Sequence, residues 1–301
     1  MHGSAQSLSL PMETAPRAAM SKLSWPRLGH LVLHGRYLAN NEPPVLPTLL
    51  QRMSALRTLC VQVAQPPSFS RAPILGRTST NSVDLCGLRS LIIAYPDPED
   101  SIFAVQARNL TYLALRDEPR YYFTRWSPLN TGRGTTQPIL KSSECLRILQ
   151  KMALPRLESL ELVYQADAAD EDLLQHISST YAHLARLEQH RYRPDDQEDV
   201  PYLAVTKHLA SIRTLQSAHL NLDFRETAPI HCIDHRKMVD WCSFRHSRSE
   251  EVLAILEAAC PKFECLGVLD TRRNCCTWVE YRPSWYPGPH VDVDDCELDR
   301  A

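Results

Sequence analysis

The stretch HCIDHRKMVDWCSFRH gathers the residues best suited to hold a metal: His231, Cys232, His235, Cys242 and His246. Cys232 and His235 form a C-x2-H pair, and Cys242 and His246 a C-x3-H pair. Zinc asks for four such donors converging in a tetrahedron. Only six residues separate the two pairs, fewer than in known zinc fingers, and Trp241 and Phe244 suit a segment packed on a core. The structural reading is therefore adopted, and no metal ligand is assigned. Cys275 and Cys276 are adjacent, with Cys260, Cys265 and Cys296 near them in sequence. An adjacent pair does not chelate as C-x-x-C does, so burial near a strand is expected.

Catalytic patterns find little support. There is no G-x-S-x-G elbow. NTGRGTTQ has two glycines but lacks the lysine of a phosphate loop. The acidic runs DEDLL and DDQED read as a helix start and a solvated loop. No catalytic residue and no cofactor are assigned, and the chain is read as a non-enzyme. The best binding candidate is the aromatic and basic loop RDEPRYYFTRWSPLN, with Arg120, Tyr121, Tyr122, Phe123, Arg125 and Trp126 close together. Tyr, Trp and Arg are enriched where interfaces concentrate their binding energy. The alternative is that Tyr122 and Trp126 fold back and cap the core.

These residues must be positioned by elements, and one phrase recurs where those elements should be. It reads WPRLGHLVLHG, SALRTLCVQV, CGLRSLIIAY, ARNLTYLALRD, LPRLESLELVY and CPKFECLGVLD. Its apolar triplets are Leu28-Leu31-Leu33, Leu56-Leu59-Val61, Leu88-Leu91-Ile93, Leu110-Leu113-Leu115, Leu157-Leu160-Leu162 and Phe263-Leu266-Val268. A blurred copy lies near Ile212-Leu215, where Leu220 and Leu222 can carry the strand. The last two positions of each triplet are two apart, so in a strand they share one face. The first belongs to the turn that feeds the strand. Polar neighbours such as Arg57, Arg89, Glu158 and Glu161 should face away from the core. One such unit cannot bury its leucines alone, whereas stacked units can.

Helices are expected between the phrases. SRSEEVLAILEAACP has capping-box spacing at Ser247 and Glu250 and ends at Pro261. DEDLLQHISSTYAHLARLEQH, from Asp170, carries Leu173, Leu174, Ile177, Tyr181, Leu184 and Leu187 on one helical face. PILKSSECLRILQKM and PYLAVTKHLASI read as helices, and PPVLPTLLQRM as a short one. Glycine is scarce at 9 and proline frequent at 22, which suits short elements with frequent breaks.

Bulk properties narrow the class. At 301 residues, 44% hydrophobic and 23% charged, the chain can bury a large core. A formal charge of -2 supplies no global field for nucleic acid. No apolar run approaches a membrane span, and no secretory signal opens the chain. The ten cysteines are scattered, which suits a reducing compartment, cytoplasmic or nuclear.

The L-x-x-L-x-L phrase, over roughly residues 25 to 270, resembles the leucine-rich repeat family. The family's consensus asparagine or cysteine is replaced by Arg36, Ala64, Pro96, Glu118, Gln165 and Thr271, so no asparagine ladder is expected. Long irregular repeats with P-x-L-x-x-L-x-L are most similar to the C-terminal part of fungal F-box proteins. In that family an F-box docks on a ubiquitin-ligase linker and the repeats hold a substrate. Leu10, Pro11 and Glu13 echo the F-box opening, but TAPRAAMSKLSW lacks the apolar helix that should follow.

The resemblance implies an α/β fold, a leucine-rich-repeat-like solenoid with a parallel sheet on one face and helices on the other. The alternative is a compact α/β domain with a mostly parallel sheet. The expected organisation is a flexible segment over 1–24 without an intact F-box, a repeat domain over 25–270, and a C-terminal cap with acidic tail over 271–301. The expected function is a protein-recognition platform, with a protein partner such as a ubiquitination substrate. The ligase linker would be a partner only through an F-box upstream. The alternatives are a free-standing repeat scaffold and a zinc- or cysteine-dependent enzyme built on the His231 to Cys276 region.

Overall fold

The computed structural model describes residues 4–37, 46–65, 71–77, 83–122, 138–194, 199–224, 235–272 and 275–285. They form a mixed α/β structure around one 11-stranded sheet that does not close into a barrel. The strands are β1 (Ser7–Pro11), β2 (His30–Arg36), β3 (Thr58–Ala64), β4 (Ser90–Ala94), β5 (Tyr112–Arg116), β6 (Leu140–Lys141), β7 (Ser159–Gln165), β8 (Arg186–Tyr192), β9 (Ser217–Asn221), β10 (Cys265–Arg272) and β11 (Cys275–Tyr281). They lie in sequence order across the sheet, except that the short β6 sits beside β7 off the main path. Every pairing is parallel except β10 with β11.

The helices are α1 (Arg17–Met20), α2 (Leu46–Leu50), α3 (Ser142–Lys151), α4 (Asp170–Thr180), α5 (Tyr202–Ala210) and α6 (His235–Ala259). Parallel neighbours need a crossover; these helices supply it for all pairs except β3 to β4 and β4 to β5, and a 3-10 turn over Ser101–Ala104 lies between the latter two. Each longer helix turns an i, i+3, i+4 stripe into the same core as the strands: Cys145, Ile148 and Leu149 from α3, Leu173, Leu174 and Ile177 from α4.

The register explains the recurring phrase. Leu8, Leu31, Leu59, Leu91, Leu113, Leu160, Leu187, Ala218 and Leu266 are successive partners in one row, and all but the partly buried Leu8 are buried. The preceding turn leucines Leu28, Leu56, Leu88, Leu110 and Leu157 are buried too. Each leucine fully withdrawn from water contributes roughly 1.5–3 kcal/mol.

Several expectations are corrected. The segment 1–24, expected to be flexible, supplies the first strand: Ala5, Leu8 and Leu10 repeat the three-then-two spacing, and Met12 and Met20 are buried. The helix expected to run on from Asp170 stops at Thr180, and Leu184 and Leu187 belong to the turn and strand of β8. That strand is masked in the sequence because two of its core-side positions are polar. Gln189 Nε2 donates to Tyr164 Oη at 2.6 Å, and Arg191 Nε donates to Asp170 Oδ2 at 2.7 Å. The blurred copy resolves into Leu215, Ala218 and Leu220, all buried.

The helix expected to be capped at Ser247 begins instead at His235, so Ser247 is interior. The reason is packing upstream of it: Trp241 stacks on Phe244, and the buried Arg245 pairs with Asp270 at 2.5 Å. At the other end, β11 lies antiparallel on β10 and covers its edge, with Tyr281 in the core.

The positions of the missing asparagine ladder have aspartates close by. Asp117 accepts from the Tyr121 amide and Asp223 from the Arg193 amide. Asp167 accepts from the hydroxyls of Ser142 and Ser143 and from the amides of Ser143 and Ala169. Asp100 accepts from the amides of Ile74, Leu75 and Ile102. Carboxylates thus satisfy backbone donors that turn away from the strands.

Candidate recognition site on the outward face of the sheet

Residues that alternate with the core row point to the other face. Along the register one outward row reads Ser9, Val32, Cys60, Ile92, Ala114, Glu161, Glu188, His219 and Gly267. Its two halves differ in character. From β1 to β4 the outward positions Ser9, His30 and His34 are exposed, and Val32, Thr58, Gln62, Ser90 and Ile92 half-buried. From β5 onward charged and aromatic side chains cover the sheet.

Glu161 is the centre of that cover, only 1% exposed. Its Oε2 accepts from Tyr112 Oη at 2.9 Å and Arg116 Nε at 2.7 Å, and its Oε1 from Arg120 Nη2 at 2.8 Å. Arg116 Nη2 also lies 2.5 Å from Oε2. Arg120 reaches Asp117 Oδ1 at 3.3 Å and Glu188 Oε1 at 3.6 Å. Glu188 Oε1 in turn meets His190 Nε2 at 2.9 Å. The His190 ring is stacked by Tyr122 at 5.7 Å and met edge-on by Trp278 at 5.5 Å, and Trp278 also contacts His219 at 5.0 Å. Gly267 makes room for this: a Cβ there would come within 2.3 Å of His219 Cδ2.

The electrostatics follow the geometry. Burial, then the Glu161 charge, pushes the Tyr112 hydroxyl up to about 12. Burial alone would raise the Glu188 carboxyl, but the His190 hydrogen bond, with the charges of His190, Arg120 and Arg116, holds it below the usual range. Burial lowers the tendency of Arg120 to stay charged, and Glu161 and Asp117 more than restore it.

Glu161, Glu188 and His190 offer ligand atoms within 4.8 Å of one another, the one such grouping among the described residues. The donor chemistry fits arginine rather than a metal ion, because both Glu161 oxygens already accept charge-assisted hydrogen bonds. Each of these contributes about 1.5–3 kcal/mol and would be broken by an incoming metal.

Of the loop residues expected to meet a partner, three are described. Arg120 is tied to Glu161, Tyr121 meets Tyr192 edge-on at 4.6 Å, and Tyr122 lies on His190. This stretch folds back over the outward face. Phe123, Arg125 and Trp126 lie outside the described residues. His231 and Cys232 lie outside them too, while Cys242 and His246 fall in α6, with the His246 ring 5.8 Å from that of Tyr281. Of the adjacent pair expected to be buried, Cys276 is half-buried, while Cys260 and Cys265 are buried.

Glu161 does face away from the core, but not toward water, because two arginines and a tyrosine close over it. Its partners were missed in the sequence. The available signal was the residue between the last two leucines of each phrase, which stacks in space at the strand spacing of about 4.8 Å. No protein-family model matches the chain, and no curated protein is significantly similar to it.

Proposed function

We propose that this chain is a non-catalytic protein-recognition platform built on a leucine-rich-repeat-like array. The observation that carries the reading is the uninterrupted register: consecutive rungs with one spacing place a row of outward side chains along the whole sheet. Such a surface contacts an extended partner through many side chains at once. The half from β1 to β4 mixes the apolar Val32 and Ile92 with His30, His34, Thr58 and Gln62, a composition that fits a protein surface. The Glu161 network, held by Tyr112, Arg116 and Arg120, suits a rigid neighbour to that surface.

The partner on this reading is a protein, and the likeness to fungal F-box substrate-binding regions makes a ubiquitination substrate one form of it. One observation favours the free-standing scaffold as a second reading. Leu10 and Pro11, which echo an F-box opening, lie in β1, and Glu13 accepts from the Arg36 amide at 2.7 Å. Those residues serve the sheet rather than a docking helix. No helix among the described residues is long and apolar enough to cross a membrane.

The test is affinity purification of the wild-type chain and of a Val32→Glu, Ile92→Glu variant from its own cells, with mass spectrometry. Proteins recovered with the wild type and lost with the variant support the outward face as the binding surface. A ligase linker and a cullin among them support the adaptor form. Identical recovery with both chains refutes the assignment of the face.

A further inference from the structure

We propose that a groove along the edge where β7 to β10 begin binds an acidic peptide segment of a partner protein. The groove encloses about 540 Å3 and is lined by Arg156, His183, Arg186, Arg213 and Lys262, with Glu158 as its single carboxylate. These basic side chains come from the repeat itself. Arg156, His183 and Lys262 each stand just before the apolar residue that feeds β7, β8 and β10, with Thr214 in the same place before β9, so the turns line them up along the sheet edge.

Part of this charge has a structural role. Arg213 donates from Nη1 to the Ala259 carbonyl at the end of α6, at 2.6 Å, and Arg156 from Nη1 to Asn109 Oδ1 at 3.1 Å. Cations suit helix C-terminal ends, which carry partial negative charge. Arg186 and Lys262 have no such role: both are exposed, and their side chains make neither a hydrogen bond nor an ion pair with the described residues. The forked arginines can each grip a carboxylate or phosphate through two donors. Gln216, in the lining, adds an uncharged partner for peptide backbone.

A peptide fits better than nucleic acid. No Phe, Tyr or Trp ring lines the groove for bases to stack on, Glu158 interrupts the positive surface, and the chain is net negative at -2. The inference rests on the recognition reading only in making the partner a protein. It concerns a different surface, so either can fail while the other stands.

The experiment is fluorescence anisotropy with a labelled octapeptide of glutamate and serine, in unmodified and serine-phosphorylated forms, at low salt. Saturable binding is expected, weakened at least about tenfold by Arg186→Ala with Lys262→Ala, through loss of two charge-assisted contacts. Glu158→Gln should tighten binding, a change of opposite sign that unfolding cannot mimic. Lys22→Ala with Arg52→Ala, which removes exposed cations elsewhere, should change it little. Preference between the two peptides tells phosphate from carboxylate recognition. The proposal is overturned if binding does not saturate, if the groove variants bind like the wild type, if the Lys22 and Arg52 variant loses as much, or if an oligothymidylate of equal charge competes equally well.

Discussion

Replacing Glu161 by Gln keeps the side chain's shape but removes the charge that holds two guanidinium groups over the sheet. Glu161 is 1% exposed and accepts from Tyr112, Arg116 and Arg120. Removing one partner of a buried ion pair costs about 3–5 kcal/mol. Both arginine side chains keep 22% exposure, so water screens the leftover charge and the loss falls to about 2–3 kcal/mol. Unfolding entropy of about 2.1 cal/mol/K per residue turns this into a melting temperature lower by about 3–5 °C for a chain of this length. Tyr112→Phe alone should cost about 1 kcal/mol. Combined with Glu161→Gln it should cost less than the sum, because both act on the same hydrogen bond. The assay is thermal unfolding followed by circular dichroism. If Glu161→Gln and Arg120→Ala both melt within about 1 °C of the wild type, the network contributes nothing and the fold-back of Arg120 to Tyr122 is wrong.

Leu160→Asp places an unpaired charge in the buried row and should cost about 4 kcal/mol or more, read as loss of helical and sheet circular dichroism at ordinary temperature. Arg245→Met leaves Asp270 buried without its partner and should cost about 3–5 kcal/mol in urea unfolding, whereas adding Asp270→Leu should recover most of that loss. Acid stability should depend on Glu188. Its folded pKa is depressed, so its contribution is complete above the unfolded carboxylate value of about 4.3 and is lost as pH falls through the folded value. Asp100, raised by burial, acts with the opposite sign. Glu188→Gln should therefore lose less stability than the wild type as pH falls below about 4.3.

The core rungs were legible because their chemistry is repetitive. Leucines at three-then-two spacing bury one face, and the strands at Leu31, Leu59, Leu91, Leu113, Leu160 and Leu266 follow from that. The β8 rung was hidden because Gln189 and Arg191 stand where leucine is expected and hydrogen-bond to Tyr164 and Asp170. Hydropathy cannot register a polar residue whose partner is distant in sequence. The same holds for the site. Glu161 reads as a solvated charge until Arg116 and Arg120, far away in the chain, are brought across it by the register of β5 and β7. The loop Arg120 to Tyr122 was visible as a binding composition, but composition does not tell an outward grip from one turned back on the chain's own sheet.

The measurement closest to the central claim is site-specific photo-crosslinking in the chain's own cells. A photoreactive residue is placed at Ile92, on the outward face, or at Leu203, which is 41% exposed on α5. The recognition reading predicts a discrete crosslinked protein from position 92 and not from position 203. The same products from both positions, or none from position 92, would contradict it.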